Sequence, residues 1–266
     1  MSPPIAVTIA GSDSGGGAGI QADLKTFSAL GVYGACVITA LTAQNTRGVT
    51  AIHDVPPAFI AAQIDAVFSD LDVKAVKIGM LSQPAVIMAV ADGLERWRQT
   101  QVVLDPVMVA ASGDRLLVPE AIDVLRRVLI PRALVITPNL PEAAALLDAP
   151  LAQGETDMRQ QAERLIKLGA RAVLIKGGHG EGAESIDLLV EPASVARLAA
   201  ARIATANTHG TGCTLSSAIA ASLAKGMDLA TAARAGKDYV SAAIATSDRL
   251  EIGTGHGPVH HFHAWW

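Results

Sequence analysis

Cysteine is scarce in this chain: Cys36 and Cys213 are the two present in 266 residues, too few for a disulfide framework. Aromatic residues are also sparse, with four Phe, three Trp and two Tyr. Half of the residues are nonetheless apolar or aromatic. The core must therefore be built from Ala, Val, Ile and Leu, which suits buried parallel strands covered by helices. No apolar run reaches the roughly 18 residues that cross a bilayer. Nor does a positive region precede the short apolar stretch after Met1-Ser2-Pro3-Pro4, which speaks against a secretory signal. Basic charge is not in excess either: the net charge is −4 and the pI about 6.0, which argues against a general nucleic-acid binder. No linker, low-complexity tract, repeat or charge shift divides the chain, so a single domain over residues 1–266 is expected. These absences describe a cytoplasmic protein with neither membrane nor nucleic acid as partner.

Short apolar, β-branched stretches predict strands at residues 5–9, 36–41, 75–78, 102–104, 134–136 and 172–175, with later ones at 186–190 and 195–203. Between them lie helical periods at 20–30, 57–68, 84–97, 119–129, 141–147 and 158–168, and two more at 212–224 and 229–246. Pro57, Pro84, Pro119 and Pro141 stand where helices begin, since a first-turn proline sacrifices no helical hydrogen bond. The alternation predicts an α/β fold with a mostly parallel sheet between helical layers. Ligands of such sheets sit beyond the carboxyl ends of the strands. Gly11, Gln44, Gly79, Asp105, Asn139 and Lys176 each follow a predicted strand.

The sharpest chemical signal is Asn207-Thr208-His209-Gly210-Thr211-Gly212-Cys213-Thr214, which leads into a helix. Glycines let successive amides turn toward one point, and the helix start adds partial positive charge there. Cys213 falls in the first turn, where the dipole favours thiolate; it is either a general base or a small packing residue. The loop Gly11-Ser12-Asp13-Ser14-Gly15-Gly16-Gly17-Ala18-Gly19 lacks the Gly-Lys-Ser/Thr ending of a phosphate loop. It reads as backbone that comes close to a flat ligand, or as a tight turn. Asp23 sits early in the following helix, pointing back to the same pocket or simply favouring the dipole.

Residues 178–183 fit a loose Gly-x-Gly-x-x-Ala pattern but run into a strand, so the dinucleotide reading fails on context. Lys176 ends a strand beside a glycine pair and either reaches polyphosphate or snorkels to the surface. Asp105, Asn139 and Glu142 are caps or turn residues taken singly. Together with an anion nest they suggest phosphoryl transfer with Mg²⁺. The tail histidines His260, His261 and His263 have no partnering Cys or acidic cluster at fixed spacing, so a packed terminus is expected rather than a metal site. Cys36 reads as a small core residue.

The first glycine segment through Phe27, Thr137-Pro138-Asn139-Leu140-Pro141-Glu142, Lys176-Gly177-Gly178-His179 and the Gly-Thr-Gly-Cys segment together resemble the hydroxymethylpyrimidine/phosphomethylpyrimidine kinases of thiamine biosynthesis, within the ribokinase-like superfamily. The resemblance runs over essentially the whole chain. It implies a three-layer α/β/α fold, a homodimer, and two successive phosphorylations of 4-amino-5-hydroxymethyl-2-methylpyrimidine by ATP. By that resemblance Cys213 is catalytic, and the amides of Gly210, Thr211, Gly212 and Cys213 form the anion hole. Asp105 and Glu142 would organise magnesium, with Asn139 and Lys176 on ATP. Gly11, Asp23 and Gln44 would form the pyrimidine pocket, walled by Met80 and Val107. Some relatives carry Glu where this chain has Gln44; an amide still offers a donor and an acceptor to an aminopyrimidine edge. A pyridoxine or pyridoxal kinase is the nearest alternative, because that ring also bears a hydroxymethyl group.

Overall fold

The alternation of short apolar runs and helical periods resolves into one large sheet with helices on both faces. The structure, a computed structural model, describes residues 2–108, 119–178 and 182–266. In chain order the elements are β1 (Ile5–Ala10), α1 (Gly19–Ala29), β2 (Tyr33–Ile38), β3 (Ala40–Asn45), β4 (Gly48–Asp54), α2 (Pro57–Phe68), β5 (Val73–Ile78) and α3 (Pro84–Arg96). Then come β6 (Val102–Leu104), α4 (Pro119–Val124), β7 (Val135–Ile136), α5 (Leu140–Leu147), α6 (Glu155–Lys167) and β8 (Val173–Lys176). The last are β9 (Glu184–Glu191), β10 (Ser194–Ala201), α7 (Thr211–Ala224) and α8 (Leu229–Ala245).

The main sheet has eight strands in the order β10-β9-β8-β7-β6-β5-β1-β2. Pairing is parallel from β8 through β2 and antiparallel at β8–β9 and β9–β10. Successive side chains of a strand point to opposite faces, and the two layers of core divide accordingly. Val7, Ile9, Ile78, Leu104 and Ile136 pack on one face with Ile64, Ile87 and Leu146. Ala6, Ala75, Val103, Val135 and Leu174 pack on the other with Phe27, Ile219 and Ala233. The three-layer α/β/α expectation therefore holds. Helix α7 is buried at every position from 214 to 224; its Ala and Ser side chains let it lie flat between the sheet and α8.

Three expectations need correction. The strand expected at 36–41 breaks at Thr39, and the chain leaves the sheet to form the separate two-stranded hairpin β3–β4. Strand β4 escaped notice because it is almost wholly exposed, so no face of it carries the apolar alternation that marks a half-buried strand. The helix expected at 119–129 is α-helical only to Val124, then continues as a π-turn over Leu125–Leu129 and a 3-10 turn over Ile130–Arg132. Pro131, which has no amide hydrogen for an α ladder, follows that change of pitch. Helix α6 starts at Glu155, three residues before the expected 158. His179, Gly180 and Glu181 of the loose glycine pattern lie outside the described residues.

The carboxyl-terminal tail packs onto α7 and α8. The His260 amide donates to the Ala243 carbonyl at 3.0 Å, and His261 Nε2 lies 3.1 Å from Thr214 Oγ1. Burial pushes His261 down to about 3, so this ring stays neutral in the fold.

Candidate active site

A cavity of about 820 Å³ opens beyond the carboxyl ends of β1, β5, β6 and β8. Gly11, Met80, Asp105, Val107, Asn139, Glu142 and Lys176 line it from the sheet side, and Gln44 reaches it from the hairpin. Gly210, Thr211, Gly212 and Cys213 close it from the start of α7. Eleven of the twelve residues other than Cys213 expected to form the site thus converge with it on one space; the exception is Asp23.

Helix α7 begins from Gly210, which adopts the left-handed conformation at φ +82°. A Cβ there would lie 1.9 Å from the Gly17 carbonyl oxygen. The position thus needs glycine twice, for its backbone and for the close approach of the first glycine loop. Gly210 to Cys213 line the cavity; the Thr211 amide donates to the Thr208 carbonyl at 3.2 Å, and the other amides of a helix start have no intrahelical acceptor, as an anion site requires. Cys213 is partly exposed to it. Its thiol does not follow the dipole expectation. Burial pushes it up to about 11, Asp23 and Asp105 add to the rise, and Lys77 and the Gly19 amide pull the other way. Desolvation wins over the helix start here.

Beyond β6 and β8, Lys176 Nζ sits 2.7 Å from Asp105 Oδ1 and 3.9 Å from Glu142 Oε2. Asp105 also accepts from Thr137 Oγ1 at 3.0 Å and Ser216 Oγ at 3.3 Å. Burial would raise the Asp105 carboxyl, but the Lys176 and Lys77 cations hold it below its ordinary value. Burial would likewise lower Lys176, whereas Asp105 and Glu142 carry it upward. Glu142 has the weaker share of that cation, and burial pushes it up to about 7. Asn139 and Glu142 form a reciprocal capping box at the start of α5, each bond 2.8 Å long. The cap reading of these two residues is met, and both also line the cavity.

Among the described residues no group of three His, Cys, Asp or Glu side chains could hold a metal by itself. The two carboxylates do fit Mg²⁺, which keeps waters and commonly rests on one or two carboxylates plus substrate phosphates. Asp105 and Glu142 are hard oxygen donors in one cavity, each with lone pairs left after its recorded bonds.

Asp23 was expected in the pyrimidine pocket and is instead fully buried behind it. Its carboxylate accepts from Thr8 Oγ1 at 2.6 Å, Ser217 Oγ at 2.6 Å and Lys77 Nζ at 2.9 Å. Lys77 is fully buried too but borders the cavity. Burial would lower its ammonium, and the Asp23 charge reverses that and raises it. Nothing in the sequence around β5 names the partner of Lys77, which lies 54 residues away. A lysine inside the otherwise apolar stretch 75–78 was the available sign: such a charge, once buried, must find a partner.

Two further pairs were also missed. Asp187 and Lys237 bond at 2.9 Å, both buried, and Asp187 holds the Gly177 amide at 2.9 Å beside Lys176. Asp13 and His209 bond at 2.8 Å across the two glycine segments.

Comparison with known proteins agrees with this geometry. The sequence model of the phosphomethylpyrimidine kinase family matches residues 13–260. The hydroxymethylpyrimidine/phosphomethylpyrimidine kinase of Rhizobium meliloti is 63% identical over 98% of both chains. That of Escherichia coli is 55% identical over 98% of both. Among solved structures, an ADP complex of Bacillus subtilis pyridoxal kinase superposes with a TM-score of 0.91 at 37% identity, covering 99% of each chain. Clostridium difficile phosphomethylpyrimidine kinase gives 0.80 at 46% identity, covering 90% of this chain and 99% of that one. A cavity beyond the strand ends, with a glycine turn at a helix start, a pocket thiol and a ribokinase-like sheet, thus coincides with a family match over most of the sequence, and this chain belongs to the phosphomethylpyrimidine kinase family.

Proposed function

We propose that this kinase phosphorylates 4-amino-5-hydroxymethyl-2-methylpyrimidine with ATP, and then phosphorylates the monophosphate to the diphosphate, as a step of thiamine biosynthesis. The observation that carries the reading is the shared cavity of Cys213, the Gly210 turn, Gln44 and the Lys176–Asp105 pair. The ring lies between the first glycine loop and Gln44, with Met80 and Val107 as apolar walls. Gln44 supports this because Thr42 Oγ1 bonds its side-chain oxygen at 3.1 Å and thereby fixes the amide's orientation. Lys176 and Asn139 attend the nucleotide, and Asp105 and Glu142 would hold magnesium. When bound, that ion neutralises phosphate charge.

In the first step the substrate hydroxyl attacks the γ-phosphorus, the bond to the bridging oxygen breaks, and ADP leaves. Cys213 accepts the hydroxyl proton, while the amides at the start of α7 stabilise charge on the transferred group. A base with a pKa near 11 is strong but scarce at neutral pH. The second step needs it less, since the second pKa of a phosphate is about 6 and its oxygen is already largely ionised. We further read the chain as a single domain acting as a cytoplasmic homodimer.

A coupled ATP assay that resolves monophosphate from diphosphate product tests the proposal; absence of both products sinks it. The pyridoxal kinase likeness supports a second reading, activity on a pyridine ring. Comparing kcat/KM for the two rings on one preparation decides between them.

A further inference from the structure

The two glycine-rich segments carry the two halves of the proposed reaction, and one pair of buried side chains fastens them together. Asp13 is 1% exposed and His209 8%. Asp13 Oδ1 accepts the Gly15 amide at 2.8 Å, while Oδ2 accepts the Gly17 and Ala18 amides at 3.0 and 2.8 Å. The same Oδ2 lies 2.8 Å from His209 Nε2.

The bond is built into its surroundings on both sides. A Cβ on Gly17 would meet His209 Cδ2 at 2.4 Å, so the missing side chain is what admits the ring. His209 is itself pinned by main-chain bonds from its amide to Gly257 and from Val259 to its carbonyl, at 3.0 and 3.2 Å. It directly precedes Gly210, the first residue of the anion nest. On the other side, Ser14 Oγ exchanges two 2.8 Å bonds with the Gln44 backbone. The chain of contacts thus runs from the Gln44 pocket through Asp13 to the nest, and no step above uses Asp13 or His209.

We propose that Asp13 and His209 form a positioning latch, which sets the distance and angle between the pyrimidine pocket and the phosphoryl-transfer nest. The inference rests on the kinase reading, because only a reaction between two bound partners needs that register. Holding reacting atoms in line is worth far more than either binding contact alone, and an error near 1 Å costs about 10²-fold in rate.

The test compares His209→Phe, which keeps a ring beside Gly17 but cannot bond Asp13, with His209→Gln, whose amide can donate to the carboxylate. In the full-length protein, His209→Phe is expected to lower kcat by roughly 10²-fold. The separate Kd values for pyrimidine and for ATP should each move by less than about threefold, and His209→Gln should recover most of the rate. Asp13→Asn combined with His209→Phe should be no worse than the worse single variant, as for two ends of one contact. Parallel weakening of both Kd values, equal rates for the Phe and Gln variants, or additive losses would overturn the latch. Should Asp13→Asn not fold, the two His209 variants still decide, since they leave the three amide bonds of Asp13 in place. A wild-type protein without kinase activity would sink the functional reading instead. The latch is then read by amide hydrogen exchange: residues 15–18 and 210–213 should both exchange roughly tenfold faster in His209→Phe and recover in His209→Gln. Unchanged exchange in either segment would overturn it.

Discussion

At the scale of single residues, Cys213 is the test of the chemistry. Cys213→Ala is expected to slow the first phosphorylation by roughly 10²-fold, the usual range of a lost general base, and the second by much less. Product-resolved kinetics checks this; equal losses would remove the thiol from the proton path. The raised thiol pKa also fixes a sign, because the first step should accelerate as pH rises above neutrality, when more thiolate is present. Cys213, Gly210 and Gln44 were legible because each owes its place to local sequence: a glycine turn, a helix start, a strand end. Asp23 was misplaced for the opposite reason. Its role is set by Lys77 and Ser217, which reach it from β5 and α7, and no local pattern reports partners so distant. The same distance hid Asp13 and His209.

At the scale of elements, the start of α7 and the β3–β4 hairpin carry the strongest constraints. Gly210→Ala should destabilise the protein by about 1–3 kcal/mol, since alanine must adopt a positive φ and its Cβ collides with the glycine loop. Thermal unfolding beside phosphate-analogue binding measures both costs. In the hairpin, Thr42 is buried toward the cavity, whereas Leu41 on the opposite face is 47% exposed. A strand left so uncovered is what a second copy would cover in the proposed homodimer. Leu41→Lys is expected to shift the mass measured by light scattering from dimer to monomer, and an unchanged mass would place the contact elsewhere. The regular α/β units were readable from apolar period alone. Strand β4 of the hairpin was not, because a strand without a buried face leaves no period to read.

At the scale of the whole molecule, buried titratable groups shape the response to pH. Glu142 rises from 4.5 to about 7 on folding, so the folded chain binds the extra proton. Its contribution is complete at acid pH and is lost as pH rises through that window. His261 falls from 6.5 to about 3, so its contribution is present above 6.5 and lost as pH falls. The two slopes oppose each other in the native chain. Glu142→Gln should therefore steepen the loss of stability toward acid in nucleotide- and magnesium-free protein, as followed by denaturant midpoints from pH 4.5 to 7; an unchanged profile would show that Glu142 titrates normally. A mostly parallel sheet between two helical layers followed from the sequence because parallel strands need crossover helices; the order of its strands did not. Charge placement did not, being decided by which strand ends meet.

The enclosure of α7 has one more consequence. Dissolved ions weaken the field of a surface helix within its first turn; here the body of the helix is sealed by protein from 214 to 224, and its first turn opens into the cavity that bound substrates would fill. Its positive end should keep its pull on a phosphoryl group at ionic strengths that silence an exposed helix, so turnover with saturating substrates should be nearly insensitive to added potassium chloride.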